Sequence, residues 1–345
     1  MAAIGEDLLK LQIKEGKFSP VYVFYGEEDY MKRFYLDKIK AKAVGDNFPE
    51  FNLHTIDGTK ASIEEIISLA MSVPMMNDYV LIIVNDFDFS GVSDENIDAL
   101  FACLGEGTIV LFYYAIVKPN QQKSAWKKAM KLFKEQGSSV KFDKKDAREL
   151  AKIAMSAAKK RGCYLPQYLA SDFIERVGTD LNLIKNEIEK ICAMKGEGDI
   201  TAEDIEAISV RTLDASAFDL TKALIDNHPA AAFDILHDLN DQHTEPVMIL
   251  GAINSGYIDM YRVKVAAQKG VPADAVANFY TYKSSWKLKK AAYNAKKLTL
   301  SQLRRSVNVL CEADQKIKSV APEQHSVVLD ETIMKLMLIA ARSRQ

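Results

Sequence analysis

Pro20-Val21-Tyr22-Val23-Phe24-Tyr25-Gly26-Glu27-Glu28-Asp29-Tyr30 is the stretch on which the fold turns. Its first half is a compact run of β-branched and aromatic residues, the pattern of a strand buried on both faces. Gly26 breaks the run and a helix start follows. In an α/β nucleotide-binding domain, the turn after the first strand holds the phosphates. That chemistry needs several glycines, so that backbone N–H groups can close around the anion, and a lysine to meet its charge. Here the turn has one glycine, no lysine, and the three carboxylates Glu27, Glu28 and Asp29. Acids at a helix start stabilise it by about 0.3–1 kcal/mol each, and the same charges repel a triphosphate. The stretch predicts a nucleotide-binding type of architecture that lacks its phosphate loop.

The flanking sequence alternates strands with helices. An amphipathic helix is expected over 4–14, with Ile4, Leu8 and Leu11 on one side, and a second over about 28–42. Phe51–Ile56 alternates apolar and polar, as a strand does. Ser62 and Glu65 form a capping box for a helix carrying Ile63, Ile66, Ile67 and Ala70 inward. Tyr79–Val84 and Thr108–Tyr114 are continuous apolar runs suited to buried strands. Helices over Asp94–Leu104 and Ser124–Gln136 complete a parallel sheet covered on both faces. The acid after the Tyr79 strand, Asp86, reads as a loop cap, since a magnesium site would need a phosphate turn beside it.

Met71-Ser72-Val73-Pro74-Met75-Met76 is the unusual segment of this first third. Pro74 stops the preceding helix, and apolar side chains then crowd a connection expected to be polar. They either fill the end of the domain core or form an exposed apolar plug that enters a partner's pocket, a use to which adaptable methionine is well suited.

Composition bounds the remainder. The chain has 345 residues, 48% hydrophobic and 27% charged, enough for two or three domains with real cores. A formal net charge of −2 means that any nucleic-acid contact must come from a local patch. The cysteines Cys103, Cys163, Cys192 and Cys311 form no CxxC pair, which suits reduced thiols in a cytoplasmic protein. No apolar run of signal-peptide length opens the chain, and none reaches the ~20 residues needed to cross a bilayer, so no membrane partner is expected.

Past Phe142 the expected pattern is helical. Helices over 146–160, 167–177, 180–194 and 202–208 make a small bundle, with Glu187 and Glu189 expected in solvated pairs with Lys190 and Lys185. From Asp214 onward further helices are expected at about 215–226, 229–240, 245–268, 272–279, 284–297, 299–318 and 323–343. Between Lys283 and Arg305 there are eight basic residues and no acid. Of these, Lys283, Lys287, Lys290 and Lys297 read either as a solvated face or as a sequence-independent contact with a phosphate backbone. His237 and Asp241 share a helix face, but no further ligand pattern supports a metal there. No metal, nucleotide or other cofactor is expected, and no catalytic motif is present.

These pieces together resemble the delta subunit of the bacterial DNA polymerase III clamp loader. The residues that carry the resemblance are Pro20–Tyr30, Asp180-Leu181-Asn182-Leu183-Ile184-Lys185-Asn186-Glu187-Ile188-Glu189-Lys190, Trp286-Lys287-Leu288-Lys289-Lys290 and Ala313-Asp314-Gln315-Lys316-Ile317-Lys318-Ser319. Their order and spacing span essentially the whole chain. The resemblance implies an AAA+-like parallel α/β domain over 1–143, a helical lid over 144–210 and an oligomerising helical collar over 211–345. It implies no intrinsic catalysis but membership in a polymerase holoenzyme. The implied partners are the sliding clamp, the other subunits of a hetero-pentameric clamp loader, and primer-template DNA within that complex, in the bacterial cytoplasm at the replisome. In the family, an apolar helix end enters a pocket of the clamp and opens one of its interfaces. That contact maps onto Met71, Val73, Pro74, Met75 and Met76, where the family usually has a Leu and a Phe. The rival expectations are an ATP-dependent replication or repair factor and a stand-alone DNA-binding protein.

Overall fold

The computed structural model describes residues 5–46, 48–280 and 286–341. The chain divides into two compact units, Met1–Lys144 and Lys145–Gln345.

The first unit runs α1 (Glu6–Glu15), β1 (Val21–Tyr25), α2 (Asp29–Ala43), α3 (Pro49–Asn52), β2 (Leu53–Asp57), α4 (Ile63–Ala70), β3 (Val80–Asn85), α5 (Asp94–Ala102), β4 (Thr108–Tyr113), α6 (Ser124–Gln136) and β5 (Ser138–Lys141). The strands form one parallel sheet in the order β2-β3-β4-β1-β5. Period-two alternation sends successive side chains to opposite faces. Val21 and Val23 join α4, α5 and α6 on one side, where Phe89, Trp126 and Phe133 fill the layer. Tyr22 and Phe24 join α1 and α2 on the other, with Leu9, Tyr35 and Ile39. Both faces are covered, as the apolar runs predicted, and the arrangement is AAA+-like.

Two readings of the first third need correction. Phe51 and Asn52 belong to the short helix α3, which Pro49 starts at its first position, so β2 begins at Leu53. β5 was not foreseen. Ser138-Ser139-Val140-Lys141 has one apolar residue, and its strand identity comes from pairing with β1. The capping box is as expected: Ser62 Oγ accepts from Glu65 N–H at 3.2 Å and Glu65 Oε2 accepts from Ser62 N–H at 2.9 Å.

The second unit is helical: α7 (Ala147–Lys159), α8 (Gln167–Val177), α9 (Leu181–Lys195), α10 (Ala202–Ile208), α11 (Leu213–Asp226), α12 (Pro229–Asp241), α13 (Pro246–Gln268), α14 (Trp286–Ala295), α15 (Leu300–Ser319) and α16 (His325–Ala341). Ala273–Phe279 is a 3₁₀ segment rather than an α-helix. A two-residue parallel bridge joins β6 (Cys163–Tyr164) to β7 (Gly198–Asp199). The long core of this unit includes Leu224, Ile253, Tyr257, Leu310 and Ile333. Glu187 is not solvated. It is buried, pairs with Lys190 at 2.7 Å, and its Oε2 accepts from Val210 N–H at 3.0 Å, so it caps the chain leaving α10. Glu189 pairs with Arg161 at 3.0 Å.

Candidate functional site

The turn after β1 is closed from within. Gly26 has φ +109°, and a Cβ there would stand 2.3 Å from the Phe142 carbonyl oxygen. Phe142 N–H donates to Tyr25 O at 2.8 Å, and Glu28 N–H donates to Phe142 O at 2.9 Å. The amide that opens a phosphate cradle is therefore taken by the backbone following β5. The three carboxylates are not left to repel an anion. Glu27 pairs with Lys118 at 3.1 Å, Glu28 is buried with Lys144 at 3.4 Å, and Asp29 pairs with Lys32 at 2.8 Å. Lys32 is itself buried and donates to the Tyr114 carbonyl. The occlusion comes from backbone and ion pairs, a stronger obstacle than the charge repulsion expected from sequence.

Asp86 follows β3, where a metal-holding acid would stand. Its Oδ1 instead accepts from the N–H groups of Ala115, Ile116 and Val117 at 2.9–3.0 Å. Beside it, the buried Tyr114 hydroxyl donates to Phe87 O at 2.7 Å, and burial raises its pKa. Asp86 is a loop cap, as expected.

The apolar segment after α4 lies in the open. α4 buries Ile63, Ile66 and Ala70, and its end leads into residues 71–76. Met71 is 67% exposed, Val73 82%, Met75 49% and Met76 79%. These side chains do not fill the core. Their backbone is nevertheless fastened. Thr108 Oγ1 donates to Ser72 O at 3.2 Å. Pro74 is half-buried, and its Cγ would lie 3.0 Å from a Cβ on Gly107. The Asn52 side chain, fully buried, accepts from Met75 N–H at 2.8 Å and donates to Met75 O at 2.9 Å. Met76 takes φ +52° and Asn77 donates to Val44 O at 3.1 Å. Phe48 and Phe51, which flank Asn52, are exposed as well. Asn52 was missed because it sits inside a run that alternates like a strand.

The basic residues of the second unit are less available than their spacing suggests. Lys287 pairs with Asp214 at 2.6 Å, Lys290 with Glu175 at 2.8 Å and Lys297 with Asp226 at 2.5 Å. Lys290 also lies over the Phe218 ring at 4.6 Å. Lys283 lies outside the described residues. A cleft of about 930 Å³ in this unit is lined by both signs of charge, among them Arg176, Arg211, Lys287, Glu175 and Asp214. His237 Nδ1 and Asp241 Oδ1 are 3.5 Å apart on the surface, and no metal-type cluster of three such side chains occurs among the described residues. No helix among the described residues is long and apolar enough to cross a membrane.

Comparison with known proteins decides the family. The family model for the DNA polymerase III delta subunit matches residues 22–143, and that for its C-terminal domain matches residues 214–336. Together they take in more than half of the chain. The chain belongs to the DNA polymerase III delta-subunit family. A delta-family relative, the DNA polymerase III subunit delta of Bacillus subtilis (strain 168), is 22% identical over 332 residues, covering 94% of this chain and 95% of its own. The solved Bacillus subtilis DNA clamp loader delta protein matches with a TM-score of 0.72 at 21% identity, covering 96% of this chain and 99% of that one. Its likeness shows the shared fold. Delta-family membership places the chain in DNA replication, as a subunit of the polymerase III assembly.

Proposed function

We propose that this delta-family chain binds the sliding clamp and opens one of its interfaces by binding energy alone, without catalysis of its own. One observation carries the reading: four apolar side chains, Met71, Val73, Met75 and Met76, stand exposed on a backbone already fixed by Asn52 and Thr108. An exposed apolar group on a held loop loses little conformational freedom on binding, which favours affinity. Anchors of this type contribute about 2–4 kcal/mol each at interface hot spots. A plug that fits the open clamp better than the closed one shifts the clamp towards opening by that difference. Pro74 sets the direction in which the loop leaves α4.

The occluded turn at Gly26 supports a subunit that does not turn over nucleotide. In this reading the chain works in the bacterial cytoplasm as one member of a hetero-pentameric clamp loader. Residues 144–210 serve as the lid, and residues 211–345 form the collar that meets the other subunits. Primer-template DNA is a partner within that complex. Contact of Lys287, Lys290 and Lys297 with its backbone requires phosphate to displace Asp214, Glu175 and Asp226. Exposed pairs of this kind are worth about 0–1 kcal/mol, so exchange is affordable to the complex. The test is clamp binding by a variant carrying Met75→Asp and Met76→Asp. Loss of binding with an unchanged unfolding midpoint supports the plug, and unchanged affinity removes it.

A further inference from the structure

α6 carries a pattern that clamp binding does not use. Its inner side, Ala125, Trp126, Ala129 and Phe133, is buried against the sheet. Its outer side carries Lys123 at the N-cap, then Lys127, Lys131 and Lys134, all exposed. At 3.6 residues per turn these four fall within an arc of about 80°, along about 16 Å of helix. Neighbours in the row are three or four residues apart, or about 4.5–6 Å of rise. Duplex DNA presents one charge per ~3.4 Å along each strand. A row of this pitch therefore keeps a phosphate within reach of each flexible lysine stem.

The charge is also uncompensated. Lys123, Lys127 and Lys134 have no carboxylate partner among the described residues, and Lys131 meets Glu135 only at 3.9 Å. Lys128, around the side of the helix, is taken by Asp98 at 2.7 Å. No acid occupies the first turn of α6, so the positive end of the helix dipole adds to the lysines. In a chain of net charge −2, such a row is a local feature rather than a share of a basic surface.

We propose that the Lys123–Lys127–Lys131–Lys134 row of α6 binds the phosphate backbone of nucleic acid without reading sequence. Phosphate contacts of this kind position a protein on nucleic acid and carry no base information. The site is separate from the plug and does not depend on the clamp reading.

The experiment uses the full chain with all four lysines replaced by glutamine, and fluorescein-labelled primer-template, duplex and single-stranded DNA as probes. Anisotropy titrations are run across a range of salt concentrations. The wild type should show a steep fall of log K with log salt. The variant should lose about 0.9 of slope per lysine on duplex and about 0.7 on single strands. The probe with the larger loss is the form bound. The single variants Lys127→Gln and Lys134→Gln, each costing about one unit of slope, keep the test decisive if the fourfold variant is poorly folded. Equal slope and affinity for wild type and variant, or no binding by the wild type at low salt, would overturn the proposal. Unchanged DNA binding with weakened clamp binding would assign the row to an acidic protein surface and likewise overturn it.

Discussion

The Asn52 carboxamide and the Met75 backbone exchange two hydrogen bonds, 2.8 Å from Met75 N–H to Asn52 Oδ1 and 2.9 Å from Asn52 Nδ2 to Met75 O. The side chain acts as a one-residue strand partner and holds a loop that has no ladder of its own. The loop's apolar side chains point to solvent while its polar backbone groups are satisfied in the interior. Rigidity and exposure, which usually exclude each other in a loop, are thereby combined.

Replacing Asn52 with alanine should therefore cost stability out of proportion to its size. Both Met75 backbone groups lose their partner, and an orphaned buried polar group costs about 1–3 kcal/mol. Urea unfolding should show a loss in that range. Clamp affinity should fall as well, although Asn52 is fully buried and cannot touch a partner. Wild-type stability in Asn52→Ala would mean that the clamp on Met75 has no energetic weight.

Gly26→Ala tests the occluded turn. The new methyl group would stand 2.3 Å from the Phe142 carbonyl oxygen, on a backbone at φ +109°. Overpacking and left-handed strain each cost about 1–3 kcal/mol. A drop of at least 2 kcal/mol in urea unfolding is expected from these two together, on the same scale. A neutral effect would show that Phe142 is free to move away and that the cradle is able to open.

An acid-limb prediction comes from α16. Glu331 is bridged by Lys316 at 2.6 Å and Lys335 at 2.8 Å, and these hydrogen bonds, that from Lys316 first, pull its carboxyl down to about 2 from the usual 4.5. A carboxylate depressed in the folded state contributes stability above its unfolded pKa and loses it as pH falls through the folded value. The contribution should be full above about pH 4.5 and gone near pH 2. Glu331→Gln should flatten the pH dependence of the urea midpoint in that window and leave its shape near neutrality unchanged. The site is solvent-exposed, so salt should reduce the effect.

The paired lysines of α14 and its C-terminal flank give a test with an unusual sign. If phosphate displaces carboxylates there, removing the carboxylates should help. Asp214→Asn together with Asp226→Asn releases Lys287 and Lys297 from contacts of 2.6 and 2.5 Å. DNA binding should tighten and its salt slope should steepen by about one unit for each lysine. No change on either count would confine these lysines to structural pairing.

Much of the fold was legible because its signals are local. Val80–Asn85 and Thr108–Tyr113 are apolar throughout and could only be central strands. Ser62, Thr299 and Asp180 each announce a helix by their cap. The segment 71–76 could be singled out because Pro74 and three methionines break the expected polarity of a connection. What stayed hidden was long-range. β5 is a strand only because β1 offers it an edge. Asn52 is buried because a loop 23 residues away needs its amide. Glu187 looked like a surface acid in an amphipathic helix, yet Val210 N–H draws it inward. The lysines near α14 looked unopposed because their acids lie about 70 residues earlier in the chain. Charge runs read along a sequence omit partners that the fold brings from elsewhere.

The most direct test of the central claim is a titration of the sliding clamp with the full chain and with its Met75→Asp, Met76→Asp variant, paired with a probe of clamp-ring opening. The wild type should bind and raise the population of open rings. The variant, with two charges at positions that are 49% and 79% exposed, should keep its unfolding midpoint and lose both signals. Clamp affinity and opening that survive the two aspartates would contradict the account.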